Sequence, residues 1–404
     1  MKILLIWDGE YPWDIRVAKV SQTLLTDGHE IHIVCRNGHA LPRYELYQGL
    51  HLHRIAALPR ALAWANGAFT FPAFFNPVWI IQLIRTLRRE RCSMIIVRDL
   101  PMAPVVRVLR MFARVPVVLD MAECYPEMLR CAWQYERFRW SNLLVRNPAI
   151  ADYVERRMTR TLDHIFVMVE ESRDRLLRKG VPAERISIVS NTPDLSRFPR
   201  PSYPVVEADR AAAVQLLYVG LLNPSRGVDV MIRAAALRAA QPNGFTVRVV
   251  GSGKHAAALR NLTTQSGVED RVRFDGWVDN TLVPGIVAEA TIGVVPHYSC
   301  SHWNTTIPNK LFDYMAAGKP VIVSDAVPAA RIVRETGCGL VYSSTDPESL
   351  AAAVDRMADP AVRVRMGMAG RDAVEAKFNW RTDGAILSQV VESLGMKQIR
   401  GAAR

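Results

Sequence analysis

The residues best placed for chemistry lie in the segment HWNTTIPNKLFDYMAAGKPVIVSD. Thr305 and Thr306 are expected to cap the helix that follows, which leaves backbone amides and an exposed Lys310 ready to bind a phosphate. Asp313 would lie about a turn and a half inside that helix, where its carboxylate can accept from two ribose hydroxyls. The spacing predicts a nucleotide site, but an ordinary capped helix with Asp313 on a solvated face fits it equally.

A second group of candidates follows the strand-like runs of the carboxyl-terminal half. In LLYVGLLNPSRG, Gly220 ends a strand and Arg226 precedes a helix, so backbone amides and one guanidinium would converge on a diphosphate. Gly251 and Gly253 in VVGSGK allow close backbone approach, and Trp277 is expected on a loop at the next strand end. Taken alone, a glycine after a strand is more often a turn residue than a ligand contact.

The amino-terminal half offers one comparable position. Asp14 is expected to cap the first helix, with Arg16 in its first turn after a buried strand. Arg16 there would bind a phosphate or would merely pair with Asp14. No G-x-G-x-x-G follows the strand, which argues against a dinucleotide site.

Short apolar strands alternating with helices must position these residues. Fully apolar strands of this kind predict parallel sheets covered on both faces, hence an α/β fold of two Rossmann-like domains facing a cleft. The expected strands are residues 3–7, 30–34, 93–97, 115–119, 164–168, 216–220, 246–251, 292–295 and 319–324. A proline-rich linker at 191–213 would separate domains at 1–190 and 214–380, and residues 381–404 would form a last helix.

Composition restricts the class of protein. The 404 residues are 50% hydrophobic and 22% charged, which excludes long disorder and a polytopic membrane protein. Six scattered cysteines without C-x-x-C indicate reduced thiols in the cytoplasm and no zinc framework. The formal net charge is +12, and residues 85–114 hold eight arginines against two acids, a net +6.

An uncharged stretch at 61–84 precedes this basic segment. Its length would suit a membrane span, but Gly67, Pro72 and Pro77 interrupt it. A buried loop with a core helix and an apolar-then-basic surface for an anionic membrane are the two readings that remain.

The order of these motifs resembles the family 4 retaining glycosyltransferases of the GT-B fold along essentially the whole chain. The segments that carry the resemblance are DIRVAKVSQTLLTDGHEIHIV, RDLP, VVLDMAECYPE, VSNTPDLSRF, GLLNPSRG, VVGSGK and IPNKLFDYMAAGKPVI. The resemblance implies a nucleotide-sugar donor bound mainly by the second domain, an acceptor bound mainly by the first, and a final helix that crosses back.

The resemblance also assigns roles to residues. Arg226 looks like the basic residue that binds the donor diphosphate, and Asp313 like the second acid of the E-x7-E pattern, which contacts ribose. The first acid falls at Thr305, so a carboxylate contact to the donor sugar is missing. Where the family commonly has an arginine this chain has Leu221, and Lys310 would supply that charge instead.

LDMAECYPE is similar to a family segment reading roughly D-x-H-E-x-x-P-E, which makes Asp120 and Glu123 candidate catalytic residues. Asp120 follows a buried strand, where it would face the cleft or simply cap the next helix. Arg226 and Lys310 would complete the catalytic set by neutralising the departing diphosphate. Without D-x-D or clustered carboxylates, no metal and no cofactor are expected.

The leading hypothesis is therefore a cytoplasmic glycosyltransferase bound peripherally to the inner membrane surface. It would transfer a sugar from a UDP- or GDP-sugar to a hydroxyl, with a lipid-linked or anionic acceptor in cell-surface polysaccharide or glycolipid assembly. The alternatives are a nucleotide-sugar epimerase on a similar fold, and a basic module that binds nucleic acid or membrane. Nucleic acid is not an expected partner of the leading hypothesis.

Overall fold

A computed structural model describes residues 1–58, 75–135, 143, 146–201, 214–241 and 244–402. Within them the chain divides into two compact units. The first unit comprises Met1–Pro126, Ser141–Ser190 and Asp383–Arg404, and the second comprises Glu127–Trp140 and Asn191–Thr382.

The first unit is built on an eight-stranded sheet within the described residues, in the order β3-β4-β2-β1-β5-β6-β7-β8. Its strands are β1 (Lys2–Ile6), β2 (Glu30–Cys35), β3 (Tyr44–Tyr47), β4 (Leu50–Arg54), β5 (Met94–Arg98), β6 (Val117–Met121), β7 (His164–Val167) and β8 (Ile186–Ile188). Neighbours pair in parallel except β3 with β4, which form an antiparallel pair. The chain extends the sheet from β1 toward one edge and then from β5 toward the other, so the strand order reverses between β1 and β5.

Helices of the amino-terminal half connect these strands. They are α1 (Ile15–Thr26), α2 (Pro77–Arg89), α3 (Val105–Leu109), α4 (Tyr125–Tyr135), α5 (Pro148–Thr159) and α6 (Glu170–Arg178). The prediction that Asp14 caps α1 is confirmed, since its side chain accepts from the Val17 amide. Asn76 caps α2 in the same way, and α2 buries Trp79 and Leu83 in the core.

The second unit contains a six-stranded sheet within the described residues, with every neighbouring pair parallel. The order is β11-β10-β9-β12-β13-β14, for β9 (Gln215–Val219), β10 (Thr246–Val250), β11 (Val272–Gly276), β12 (Ile292–Val295), β13 (Val321–Ser324) and β14 (Gly339–Tyr342). The order reverses between β9 and β12. In open α/β sheets, ligands bind outside the carboxyl ends of the strands at such a switch point.

The remaining helices complete the carboxyl-terminal half. They are α7 (Val228–Leu237), α8 (Ala256–Gln265), α9 (Val283–Glu289), α10 (Asn309–Ala316), α11 (Val327–Thr336), α12 (Pro347–Asp355), α13 (Pro360–Ala376) and α14 (Trp380–Ala402). Helix α10 is fixed to the sheet by Tyr314, whose hydroxyl donates to the Leu217 carbonyl at 3.2 Å and accepts from the Val219 amide at 3.1 Å. Gly293 makes room for this ring, because a Cβ there would lie 2.3 Å from it.

The nine predicted strands all exist, with ends shifted by about two residues at most. The prediction missed β3, β4, β8, β11 and β14, which are short or carry polar side chains at alternate positions. The expected loop position of Trp277 had only implied that a strand precedes it. Of the uncharged stretch at 61–84, residues 61–74 lie outside the described residues, as do linker residues 202–213. No helix in the described part of the chain is both long and apolar enough to cross a membrane.

Candidate functional site

Three glycines bring two loops of the second unit into contact at the switch point. Gly220 follows β9 and Gly251 follows β10, both with positive φ (141° and 139°). A Cβ on Gly251 would lie 1.9 Å from the Gly220 carbonyl oxygen, and one on Gly253 would lie 2.3 Å from the Leu222 carbonyl oxygen. Side chains are therefore excluded here, and backbone groups line the carboxyl edge of the sheet.

Arg226 lies at the same edge, at the end of a 3-10 turn before α7. Its guanidinium carbon lies 4.4 Å from the centre of the Trp303 ring, and its Nη1 donates to His297 Nε2 at 2.9 Å. The following residue, Gly227, must be a glycine because a Cβ would lie 1.9 Å from the Pro296 carbonyl oxygen. The guanidinium thus has a fixed position between the loops that follow β9 and β12.

His297 is a buried histidine that sequence reasoning missed. Because the arginine can only donate, His297 Nε2 must accept, and in the neutral ring the proton then resides on Nδ1. Burial, with the charges of Lys310 and Arg226, holds the pKa of His297 well below its usual range, so the ring is neutral. Its Nδ1 has no hydrogen-bond partner among the described residues. The only signal in the sequence was its position directly after a predicted strand.

Lys310 is buried rather than exposed, which corrects the sequence expectation. It is 7% exposed, and its Nζ lies 4.6 Å from the centre of the Tyr218 ring. A Cβ on Gly220 would lie 3.1 Å from this nitrogen, so the ammonium lies beside the end of β9. Burial, followed by the charge of Arg226, lowers the pKa of Lys310 well below its usual range, while Asp313 opposes that shift.

The predicted threonine cap of α10 is wrong. The helix begins at Asn309 with Pro308 as its N-cap, and no side chain caps it. Thr305 instead donates to the Ser301 and His302 carbonyls within the preceding turn, and Thr306 is 3% exposed. A proline at the cap position cannot supply a side-chain acceptor, so the backbone amides of the first turn of α10 are not used by a cap.

Two other predicted residues of this unit remain accessible to a ligand. Asp313 is half-buried on α10, three residues after Lys310, and therefore shares its face of the helix. Trp277 follows β11 and is 71% exposed, as the predicted loop position requires. Their contact with a ligand stays a prediction.

In the first unit, Arg16 and Asp120 form a buried ion pair. Arg16 Nε donates to both carboxylate oxygens at 3.0 and 2.9 Å, and Nη2 donates to Oδ1 at 2.5 Å. Arg16 also donates to the Val189 and Ser190 carbonyls, and both members of the pair are 2% exposed. Although burial alone would raise the pKa of Asp120, Arg16 holds it below the usual range.

This arrangement differs from the predicted roles of both residues. Arg16 neither pairs with Asp14 nor offers its charge to a phosphate, because Asp120 and two carbonyls use its donors. Asp120 does not cap the next helix, and its carboxylate is committed to Arg16. The pair ties α1 to β6 and the chain after β8, which is a scaffolding role at the carboxyl edge of this sheet.

Asp99 is an acid at that edge that the prediction did not single out. It follows β5 with φ of 62°, and its carboxylate accepts from the Ala122 and Glu123 amides at 3.0 and 3.2 Å. Burial raises its pKa to about 6, against the opposing charge of Arg98 2.8 Å away. Glu123 is half-buried beside it. A strained, half-buried carboxyl with a raised pKa is typical of functional sites.

The second unit therefore presents a guanidinium, a buried lysine amine, a neutral histidine and backbone amides at the carboxyl edge of a parallel sheet. This set suits a ligand with two or more negative charges, such as a diphosphate. The first unit presents Asp99 and Glu123 at the equivalent edge of its own sheet, where hydroxyl groups would find acceptors.

Comparison with known proteins agrees with this chemistry. Residues 213–359 match the family model described as glycosyl transferases group 1. Residues 15–192 match the model described as glycosyl transferase 4-like domain. Between them, the two matches take in most of both predicted domains.

Curated relatives carry related names. The chain is 32% identical over 244 residues to D-inositol 3-phosphate glycosyltransferase 2 of Catenulispora acidiphila, covering 56% of this chain and 55% of that protein. It is 27% identical over 251 residues to a GDP-mannose-dependent alpha-(1-6)-phosphatidylinositol monomannoside mannosyltransferase of Mycobacterium tuberculosis, covering 59% and 64%. The matched region thus spans little more than half the length of these relatives.

Solved structures match over nearly the whole chain. Sucrose-phosphate synthase from Thermosynechococcus elongatus has a TM-score of 0.80 at 22% identity, covering 98% of this chain and 99% of that one. Anabaena HepE in complex with UDP-glucose has a TM-score of 0.71 at 16% identity, covering 97% and 100%. These likenesses show the fold, and with the two family models they show that the chain belongs to the group 1, or family 4, glycosyltransferases of the GT-B fold.

Proposed function

We propose that this protein is a retaining glycosyltransferase that moves a sugar from a UDP- or GDP-sugar to a hydroxyl acceptor. The observation that carries the proposal is the placement of Arg226 and Lys310 at the switch point of the second sheet, beside a glycine-lined backbone edge. Residues 214–380 would bind the donor and residues 1–190 the acceptor. The names of relatives support both nucleotides, since one is GDP-mannose-dependent and one solved neighbour holds UDP-glucose.

The donor diphosphate would lie against Arg226, Lys310 and the first-turn amides of α10. Trp303 and His297 hold the guanidinium in place before the ligand arrives, so little ordering is needed on binding. Asp313, one helical turn from Lys310, would accept hydrogen bonds from the ribose hydroxyls. Trp277 offers an exposed aromatic face at the neighbouring strand end.

The chemistry needs charge stabilisation more than it needs a protein nucleophile. The bond from the anomeric carbon to the diphosphate oxygen breaks, and a bond to the acceptor oxygen forms on the same face. The acceptor proton passes to the departing phosphate oxygen. Arg226 and Lys310 stabilise the negative charge that grows on the diphosphate, and this interaction is stronger in the transition state than in the ground state.

Nucleotide binding provides the first test. Melting curves are recorded with UDP, GDP and ADP, and one of the first two should raise the melting temperature, since a ligand at 100 times its Kd adds about 2.7 kcal/mol of stability. Incubation with the matching nucleotide sugar should then release nucleoside diphosphate only when an acceptor is added. Epimerised free nucleotide sugar would identify an epimerase, and a protein indifferent to all three nucleotides would refute the proposal.

We also propose that catalysis does not depend on a metal ion. The cations Arg226 and Lys310 take the role that Mg²⁺ has at metal-dependent diphosphate sites. Turnover should therefore persist in EDTA. A strict requirement for added Mg²⁺ or Mn²⁺ would overturn this part of the mechanism without affecting the assignment as a glycosyltransferase.

A basic and apolar surface on the first unit suggests an acceptor carried by a membrane. Met111 and Phe112 are exposed after α3, and the Arg88 guanidinium lies 5.2 Å from the Phe112 ring centre. Exposed arginines beside exposed apolar side chains suit the surface of an anionic bilayer. Not all of the predicted +6 charge is free, because Arg98 and Arg110 are paired with Asp99 and Asp163.

The proposed setting is therefore the cytoplasmic face of a membrane, in cell-surface polysaccharide or glycolipid assembly. Flotation with vesicles that contain anionic lipid should recover the protein, and Arg88→Glu with Phe112→Ser should reduce recovery. Arg157→Glu, on exposed α5, is the matched charge control. Recovery that is absent, or equal in all three proteins, would contradict a role for this surface.

A further inference from the structure

A cluster of histidines lies on the first sheet, away from the carboxyl edge that carries the candidate site. His32 is the third residue of β2, and His51 and His53 lie on the adjacent strand β4. His32 is in register with His51, and side chains alternate along a strand, so all three share one face of the sheet with Glu30. Glu90, at the end of α2, approaches this face from the helix layer.

We infer that His32, His53 and Glu90 form a binding site for a divalent transition metal of the zinc type. One ligand atom from each residue lies within 4.8 Å of the other two. Two imidazoles and one carboxylate form a donor set that zinc accepts, with a fourth position open to water or an exogenous ligand. Mg²⁺ and Ca²⁺ prefer all-oxygen sites and do not suit it.

The hydrogen bonds around His32 prepare it to act as a ligand. Its Nε2 lies 2.9 Å from Glu30 Oε1, which can only accept, so the ring proton resides on Nε2 and Nδ1 carries the acceptor lone pair. That Nδ1 accepts a hydrogen bond from His53 Nε2 at 3.1 Å, and a bound metal ion would take the place of the shared proton. Two zinc–nitrogen bonds of about 2.0–2.1 Å at a tetrahedral angle place the nitrogens about 3.3 Å apart, so the imidazoles need little movement.

Glu30 and Lys2 supply the outer shell of such a site. Lys2 Nζ donates to the same Glu30 oxygen at 2.8 Å, which fixes the carboxylate that orients His32. A carboxylate on the far nitrogen of a ligating histidine is the usual partner in protein zinc sites.

A cavity beside the proposed site gives it a route to solvent. His53 and Glu90 line a cavity of about 790 Å³, whose wall also contains Arg43, Arg85 and Arg89. The positive charge of these three guanidiniums repels a metal ion that has no anionic ligand. It should therefore favour an anion, such as phosphate or a carboxylate, as the fourth ligand of the metal. We therefore expect the ion to bind more tightly when phosphate is present.

Cobalt substitution tests the site directly, with untagged full-length protein. Added Co²⁺ should produce the visible absorption band of a tetrahedral site, at one ion per chain, and Zn²⁺ should displace it. His53→Gln and Glu90→Gln should each weaken Zn²⁺ binding at least tenfold by calorimetry, whereas His39→Ala, at an exposed histidine of the same unit, should leave it unchanged. Glu30→Gln should weaken it about 10- to 100-fold without removing a ligand.

Circular dichroism establishes that each variant folds, and glutamine at the half-buried Glu90 preserves the shape of that side chain. Absence of the absorption band, or binding that survives in both His53→Gln and Glu90→Gln, would overturn the inference. EDTA should remove the ion and lower the melting temperature of the first unit while turnover persists. The metal site and the proposed transferase activity can thus fail independently.

Discussion

Replacement of Lys310 by methionine should separate its cost to folding from its role in turnover. The side chain is 7% exposed, and burial lowers its pKa well below the usual range. Methionine has similar length and no charge, so it keeps the packing against Tyr218 and removes the buried ammonium. The ligand-free variant should therefore melt at or above the wild-type temperature at pH 7.

The sign of the pH dependence follows from the depressed pKa. Between the folded and the unfolded pKa of Lys310, the unfolded chain binds a proton that the folded chain does not, so wild-type stability rises with pH. This rise ends near the unfolded lysine pKa of about 10.4. The stability advantage of Lys310→Met should accordingly shrink as the pH is raised from 7 toward 10, as scanning calorimetry can measure.

Although Lys310→Met should be at least as stable as the wild type, it should turn over more slowly. The ammonium would bind the diphosphate more strongly as the leaving group departs, so its loss should lower kcat at least tenfold, or about 1.4 kcal/mol of transition-state stabilisation. Binding of UDP or GDP should also raise the pKa of Lys310 and take up a proton. Calorimetry in two buffers with different ionisation enthalpies measures that uptake, which Lys310→Met should lose.

Lys377→Met is the matched control, because Lys377 is an exposed lysine of the same unit with its Nζ 5.1 Å from the Phe378 ring centre. It should leave kcat, proton uptake and the pH dependence unchanged. If Lys310→Met instead keeps kcat within threefold and lowers the melting temperature by several degrees, Lys310 is a packing residue above Tyr218. The donor assignment would then be refuted at this position.

Three further outcomes are expected. Asp313→Asn should chiefly raise the donor KM with little change in kcat, because ribose hydroxyls do not change during the reaction; a fall in kcat alone would contradict this. Arg226→Lys should lower kcat/KM, because lysine cannot both stack on Trp303 and donate to His297; unaltered kinetics would argue against a fixed guanidinium. Asp120→Asn should destabilise the first unit by about 3–5 kcal/mol, since Arg16 is left buried and unpaired. The contribution of Asp120, whose pKa is lowered, should be present above the unfolded aspartate pKa and disappear as the pH falls through the folded value; a melting temperature that does not depend on acid pH in the wild type would contradict it.

The sequence predicted the strand framework because each of the nine strands is a short apolar run buried on both faces. Residues 117–121 of β6, for example, are all buried, and no other element type fits such a run between helices of normal length. The edge strand β3 and its neighbour β4 were not predicted, because YELY and LHLHR alternate polar and apolar side chains. The search for fully apolar runs therefore missed them, although four of the five residues of β4 are buried.

The sequence predicted the site residues whose position follows from the ends of the strands. It did not predict which side chains those residues contact. Gly220 and Gly251 lie directly after strands that the apolar runs already define, and Arg226 lies in the loop between β9 and α7. Arg16 lies in the first turn of α1 and Asp120 near the end of β6, and their pairing joins residues 104 positions apart, so local spacing carries no signal of it. The burial of Lys310 on α10 likewise depends on Tyr218, which lies on strand β9, about 90 residues earlier in the chain.

Arg16 and Lys310 are both buried basic residues, but only Arg16 has partners that compensate its charge. Arg16 has a carboxylate and two carbonyls, so its charge is satisfied in the ligand-free protein and it stabilises the first unit. Lys310 has an aromatic face and the repulsion of Arg226, so its charge is disfavoured until an anion arrives. A buried cation whose desolvation is not offset by a neighbouring carboxylate lowers stability, and the effect of Asp313 on Lys310 is smaller than that of burial. A diphosphate is a ligand whose charge would reverse that cost. Because the charge of Lys310 lacks a compensating partner and that of Arg16 does not, we place the donor on the second unit. Arg16 has a structural role in the first unit.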